Sequence, residues 1–248
     1  MSEATLAWRH YRLERRMFWR NPTAAFFSFV LPLIFLGLFG ALNSGDTAQL
    51  EIIVPGIAGL SVMATTFNAL ANQMTFLRDA GVLKRMHGSP LPGGAYLAGV
   101  LGNAATNAAV QIGIVVLASK FLFGLGWPEN WLDLFVFGAL GVACFASLGV
   151  AFSYVIPNFD AAPAYTNIVF LPVIFISGVF YDVDNVPTFL RDIADALPLV
   201  HVINGLQAAL VTGAPLGDLL SDLAVLSLWT AFGIWFAIRG FRWDVRNG

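Results

Sequence analysis

Residues 78–90 read Arg78-Asp79-Ala80-Gly81-Val82-Leu83-Lys84-Arg85-Met86-His87-Gly88-Ser89-Pro90, a short charged island between two apolar runs. The 26 residues before it (52–77) and the 29 after it (91–119) carry no formal charge. A helix that crosses a bilayer needs about 20 apolar residues. Both flanks are therefore of membrane length, and the island is the polar loop joining them. That pairing sets the fold class as an all-α integral membrane protein.

Composition points the same way. Hydrophobic residues make up 58% of the 248-residue chain, charged residues 11%, and the mean hydropathy is +0.74. A soluble domain has about a quarter of its residues charged, so this chain has too little polar surface to face water on all sides. The single cysteine, Cys144, lies within an apolar run, which excludes an intrachain disulfide and reads as a packed thiol. No Cys/His spacing suits zinc, and the scattered His10, His87 and His201 form no ligand set. Nothing reads as a nucleic-acid interface.

Outward from the island, six spans are expected, at about residues 23–42, 52–77, 95–121, 131–155, 162–180 and 223–238. Pro32 and Pro172 fall inside the first and fifth, where they shape packing or serve a gate. Residues 1–22 carry Arg9, Arg12, Arg16 and Arg20 at helical spacing, with Trp8, Tyr11, Phe18 and Trp19 interleaved. That pattern predicts a helix in the headgroup layer. The long basic region, with no clean small-residue cleavage site, argues against a signal peptide.

Residues 182–222 do not read as a simple span. They are acidic, with Asp182, Asp184, Asp192, Asp195, Asp218 and Asp222 against Arg191. Within them residues 196–217 are charge-free but hold His201, Asn204 and Gln207. We expect an external helical pair here, with a dip into the outer leaflet left open. With the N-terminus inside, six spans place eleven of the thirteen basic residues in the cytoplasm, leaving only Lys120 and Arg191 outside. The positive-inside rule thus predicts cytoplasmic N- and C-termini and a cytoplasmic island. The whole chain reads as one membrane domain.

No phosphate-cradling Gly-x-x-x-x-Gly-Lys-Ser/Thr loop is present, so the chain does not read as an enzyme. No Asp, Glu, Lys or Arg lies deep in a predicted span, which disfavours an ion-coupled carrier. Energy for transport would come from another chain. Along the third span, Ala95, Gly99, Gly102, Thr106, Ala109 and Gly113 make a seam of small residues, suited to close helix approach. About 120° away, at ~100° per residue, Asn103, Asn107 and Gln111 make a polar stripe. Asn68 and Asn72 pair at i, i+4 on the second span. These amides are either interhelical glue or the lining of a substrate path, and both roles are compatible.

Three passages together resemble the membrane permease subunit of a type-2 ABC transporter, an exporter family of drug, lipid and polysaccharide permeases. The first is Arg20-Asn21-Pro22 leading to Leu31-Pro32-Leu33. The second is the island, through Asp79, Gly81, Leu83 and Ser89-Pro90. The third joins Leu171-Pro172, Ser177-Gly178-Val179-Phe180, Val186-Pro187 and Leu197-Pro198-Leu199. Asp79 stands where that family usually has Glu, Lys84 where an acidic residue is common, and Gln207 where Arg is frequent.

The resemblance implies two permeases side by side, as a homodimer in the cell membrane, each resting on a cytoplasmic ATPase subunit. ATP and magnesium would bind that partner, and this chain would carry no cofactor of its own. Closure of the ATPase dimer would then drive export of an amphipathic or lipid-like substrate. The island maps onto the coupling helix, with Arg78, Asp79, Gly81, Val82, Leu83, Lys84, Arg85, Met86 and Pro90 as its contacts, and the N-terminal helix as a second contact. The competing expectation is a membrane scaffold or accessory subunit without a path of its own.

Overall fold

The computed structural model describes residues 2–43, 45–87, 92–183 and 186–240, apart from the side chains of residues 24, 27, 86, 87 and 240. Every regular element among them is helical. In order they are α1 (Glu3–Arg20), α2 (Pro22–Leu42), α3 (Thr47–Met63), a π-helical turn (Ala64–Asn68), α4 (Ala69–Asp79), α5 (Val82–His87), α6 (Gly93–Phe123), α7 (Trp131–Phe152), α8 (Ala162–Ile176), α9 (Thr188–Ala196), α10 (Pro198–Gln207) and α11 (Leu220–Gly240). A second π-helical turn, Ala208–Thr212, and a 3₁₀ turn, Leu216–Leu219, join the last two.

The run Thr47–Asp79 is continuous over 33 residues, about 50 Å at 1.5 Å per residue, and forms the axis of the bundle. Every residue from Ile53 to Met63 is buried. Helices α2, α6, α7 and α10 surround it, α1 lies along α6, and α11 covers the far side of α7. Close approach explains several glycines. A Cβ on Gly56 would lie 2.0 Å from the Val179 carbonyl oxygen, and one on Gly149 would lie 2.6 Å from that of Phe67.

At the π-helical turn one residue too many is wound into the axis helix, which disturbs the regular carbonyl pattern. The hydroxyls answer it: Ser61 donates to the Ile57 carbonyl at 2.7 Å, Thr65 to Ser61 at 2.6 Å, and Thr66 to Val62 at 2.5 Å. Backbone groups that cannot reach water are thus satisfied within the helix.

All six predicted spans coincide with helices. Among the described residues, four segments are long and apolar enough to cross a membrane: Thr47–Asp79, Gly93–Phe123, Trp131–Phe152 and Leu216–Arg239. The pair Thr188–Ala196 and Pro198–Thr212, bent by 89°, makes a fifth if counted as one span. Helix α8, with 15 residues, falls short of the usual ~20, whereas the uncharged helix α2 has 21.

The pair expected outside the spans, α9 and α10, is half inside the bundle. Leu199, Val202, Ile203 and Leu206 of α10 are buried in the same core as Ile53, Val54 and Ile57. Its polar groups are absorbed locally. Asp222 of α11 pairs with His201 Nδ1 at 2.7 Å and accepts from Asn204 Nδ2 at 3.0 Å. His201 Nε2 meets the Asp195 carbonyl at 2.9 Å, and Trp229 Nε1 donates to that of Ala196 at 3.0 Å.

Replacing Gly149 with Ala should lower the melting temperature of the detergent-solubilised protein, by the equivalent of about 1–3 kcal/mol for an overpacked contact against backbone. Gly113→Ala, whose Cβ would meet nothing within 4 Å, should not. Equal melting temperatures for the two variants would contradict the packing described for the axis helix.

Candidate functional site: an intramembrane cavity and a loop helix beneath it

A cavity of about 640 Å³ lies beside the π-helical turn, walled by α2, α3, α4, α6 and α8. Leu31, Pro32 and Phe35 form one side, Phe170 and Ile174 another, and Ala64, Thr65 and Ala69 of the axis helix a third. The fourth is the polar stripe of α6: Asn103, Asn107 and Gln111 all line it. Gln111, almost wholly buried, donates through Nε2 to the Ser28 carbonyl at 2.9 Å.

Asn68 and Asn72 are not part of this cavity. Asn72 Nδ2 donates to the Asn68 carbonyl at 2.7 Å and side-chain oxygen at 2.9 Å, and faces Thr166 Oγ1 at 3.4 Å. The five amides therefore separate: three line the cavity, and the other two bond to each other, with Asn72 tying the axis helix to Thr166 of α8. Their spacing alone could not divide them, because both pairs of helices need polar contacts.

Part of the small-residue seam on α6, Gly99, Gly102 and Thr106, meets α1. A Cβ on Gly99 would lie 2.7 Å from His10 Cδ2 and 2.9 Å from the Tyr11 backbone nitrogen, and the Tyr11 and Thr106 hydroxyls are 3.1 Å apart. Seated there, α1 turns one face inward. Glu14 is buried, accepts from Gln73 Nε2 at 3.1 Å, and lies 3.3 Å from His10 Nε2. Arg15 Nη1 donates to the Asn107 side-chain oxygen and, at 3.4 Å, to that of Asn103. The sequence reading followed the arginine stripe and missed this inner face. The signal was there: Tyr11 and Arg15, like His10 and Glu14, stand four apart, the spacing of one helix face.

The charged island has two distinct parts. Arg78 is buried and donates to the carbonyls of Ser153 at 2.8 Å and Ile156 at 2.6 Å, beyond the end of α7. Asp79 accepts from the Phe159 backbone nitrogen. These two residues fasten α4 to the turn between α7 and α8. Gly81, at φ +65°, reverses the chain into α5, a left-handed conformation that favours glycine.

Within α5, Leu83 is 2% exposed and belongs to a buried cluster with Leu70, Tyr96, Val100 and Ala104, while Val82 is half-buried. Lys84 and Arg85 are exposed, and Arg85 Nη2 donates back to the Ala80 carbonyl at 3.1 Å. Met86 belongs to α5 by its backbone, but its side chain lies outside the described residues, as does Pro90.

A helical membrane protein with an apolar, amide-lined cavity and a loop helix packed under its wall is built as a transport subunit. Residues 4–211 match the family model described as ABC-2 type transporter. The chain belongs to that family and is the permease subunit of an ABC-2 type exporter; permeases of this family work with an ATPase subunit.

Three relatives illustrate the breadth of the likeness. Nodulation protein J of Rhizobium leguminosarum bv. trifolii is 30% identical over 80% of this chain and 78% of its own length. The inner membrane transport permease YadH of Escherichia coli is 23% identical over 71% and 69%. The linearmycin resistance permease protein LnrN of Bacillus subtilis is 24% identical over 81% and 51%.

Replacing Arg78 with Met would leave two carbonyls without their donor, at about 1–3 kcal/mol each. The melting temperature of the isolated permease should fall, with no ATPase subunit present. An unchanged value would show that Arg78 is not the structural tie described here.

Proposed function

We propose that this permease works as a homodimer with six spans and both termini in the cytoplasm of the bacterial inner membrane, exporting an amphipathic or lipid-like substrate. The energy comes from ATP and magnesium bound to the partner ATPase subunit. In this reading α2 crosses the membrane, α8 does so with help from its flanking turns, and α9–α10 reaches into the outer leaflet without crossing. Placement of the basic residues supports it, since only Lys120 and Arg191 fall outside. The substrate path is the cavity, and the observation that carries the proposal is its wall. A mostly apolar lining with a few amides, Gln73 on α4 and the α6 stripe, suits a molecule with a long apolar body and a small polar head.

Coupling runs through α5. Leu83 belongs to the same buried cluster as Leu70, Val100 and Ala104, three residues that also line the cavity. A push on α5 would reach the cavity wall through that cluster. Interiors packed this densely transmit displacement rather than absorb it. Lys84 and Arg85 face away from that cluster and are the groups presented to the ATPase subunit. A scaffold without a path gives no reason for a cavity wall shared with the loop helix.

Reversing both charges, Lys84→Glu with Arg85→Glu, should reduce co-purification of the ATPase subunit by about tenfold or more, the scale for losing charge pairs at a contact. The permease's own melting temperature should stay within a degree or so, since exposed substitutions away from packing contacts change stability little. Undiminished capture of the ATPase would overturn the coupling assignment.

A further inference from the structure

Resting on the cavity as the substrate path, we propose that Arg15 makes it selective for amphiphiles with an anionic head, an oxyanion such as a phosphate carried on an apolar tail. By sequence no span holds a deep charge; the structure delivers one from α1. The guanidinium is held through Nη1 by the side-chain oxygens of Asn103 and Asn107, two residues of the cavity wall. Its carbon lies 5.7 Å from the ring centroid of Phe18, which also lines the cavity, and 5.8 Å from that of Trp19.

What surrounds this cation leaves its charge uncompensated. Among the described residues no carboxylate pairs with Arg15. The adjacent Glu14 is engaged by Gln73 and His10. Both amide contacts use the same nitrogen, so Nη2 and Nε make no hydrogen bond among the described residues. Neutral amides orient a guanidinium without neutralising it. The two remaining nitrogens form a planar fork that matches an oxyanion bidentately. The cavity that Asn103 and Asn107 share with Leu31, Phe35, Leu60, Phe170 and Ile174 would strengthen such a pair by lowering the local dielectric and accommodate the tail.

The test uses the permease–ATPase complex in phosphatidylcholine nanodiscs, titrated with pyrene-labelled dodecyl phosphate and the matched pyrene-labelled dodecanol, each corrected by empty nanodiscs. The unsubstituted complex should bind the phosphate about tenfold more tightly, the scale of one charge-assisted contact. Arg15→Gln should remove that preference by weakening the phosphate alone, and Arg15→Lys should retain part of it. Asn107→Asp, which gives Arg15 a carboxylate within the protein, should also remove it; a purely structural Arg15 would be strengthened there with the preference intact. Equal binding of the two probes, or a preference that survives Arg15→Gln, overturns the proposal while leaving the cavity reading in place. If Thr65→Trp, which fills the cavity, displaces neither probe, the cavity reading fails and the proposal falls with it.

Discussion

Burial of one helix on almost all sides is the constraint on which this structure depends. Thr47–Asp79 runs through the centre of the bundle, and its neighbours approach so closely that Gly56 and Gly149 have no room for a methyl group. A helix in that position has no water to satisfy its backbone. Around its π-helical turn the hydroxyls of Ser61, Thr65 and Thr66 donate to carbonyls of the same helix. The irregular turn is also where the cavity opens against the axis, at Ala64 and Thr65. Local departures from α-geometry gather at functional positions for this reason: the change of pitch that strains the helix also makes the space.

A second consequence concerns how force enters the membrane domain. Arg78 and Asp79 clamp the lower end of the axis to the turn after α7. This fixes the base from which α5 departs at Gly81. In the proposed coupling, a short helix hung from that base, with Leu83 in a buried cluster that includes cavity-wall residues, would act as a lever, whereas the same helix on a loose base would only rattle.

Much of the architecture was legible in the sequence, because long charge-free runs admit few alternatives in lipid. The charged break that begins at residue 78 and the helical character of the six apolar segments followed from charge and composition. Inward-facing polar residues on helices that otherwise look peripheral were not legible. Glu14 and Arg15 sit among outward arginines, and only the seat of α1 on Gly99, Gly102 and Thr106 shows which way they point. Likewise His201, Asn204 and Asp222 read as reasons to keep α10 outside, whereas they satisfy one another and let it enter the core. Hydrophobicity counts polar groups one by one, while burial depends on whether they find partners.

The central claim is that the cavity beside the π-helical turn changes its exposure when the ATPase subunit closes. Cys144, the single native cysteine, is buried, so a cysteine introduced at Thr65 can be followed by its labelling rate with a membrane-impermeant maleimide. In the complete complex, that rate should change several-fold between the nucleotide-free and ATP-bound states. A rate at Thr65→Cys that is the same in both states would contradict the account.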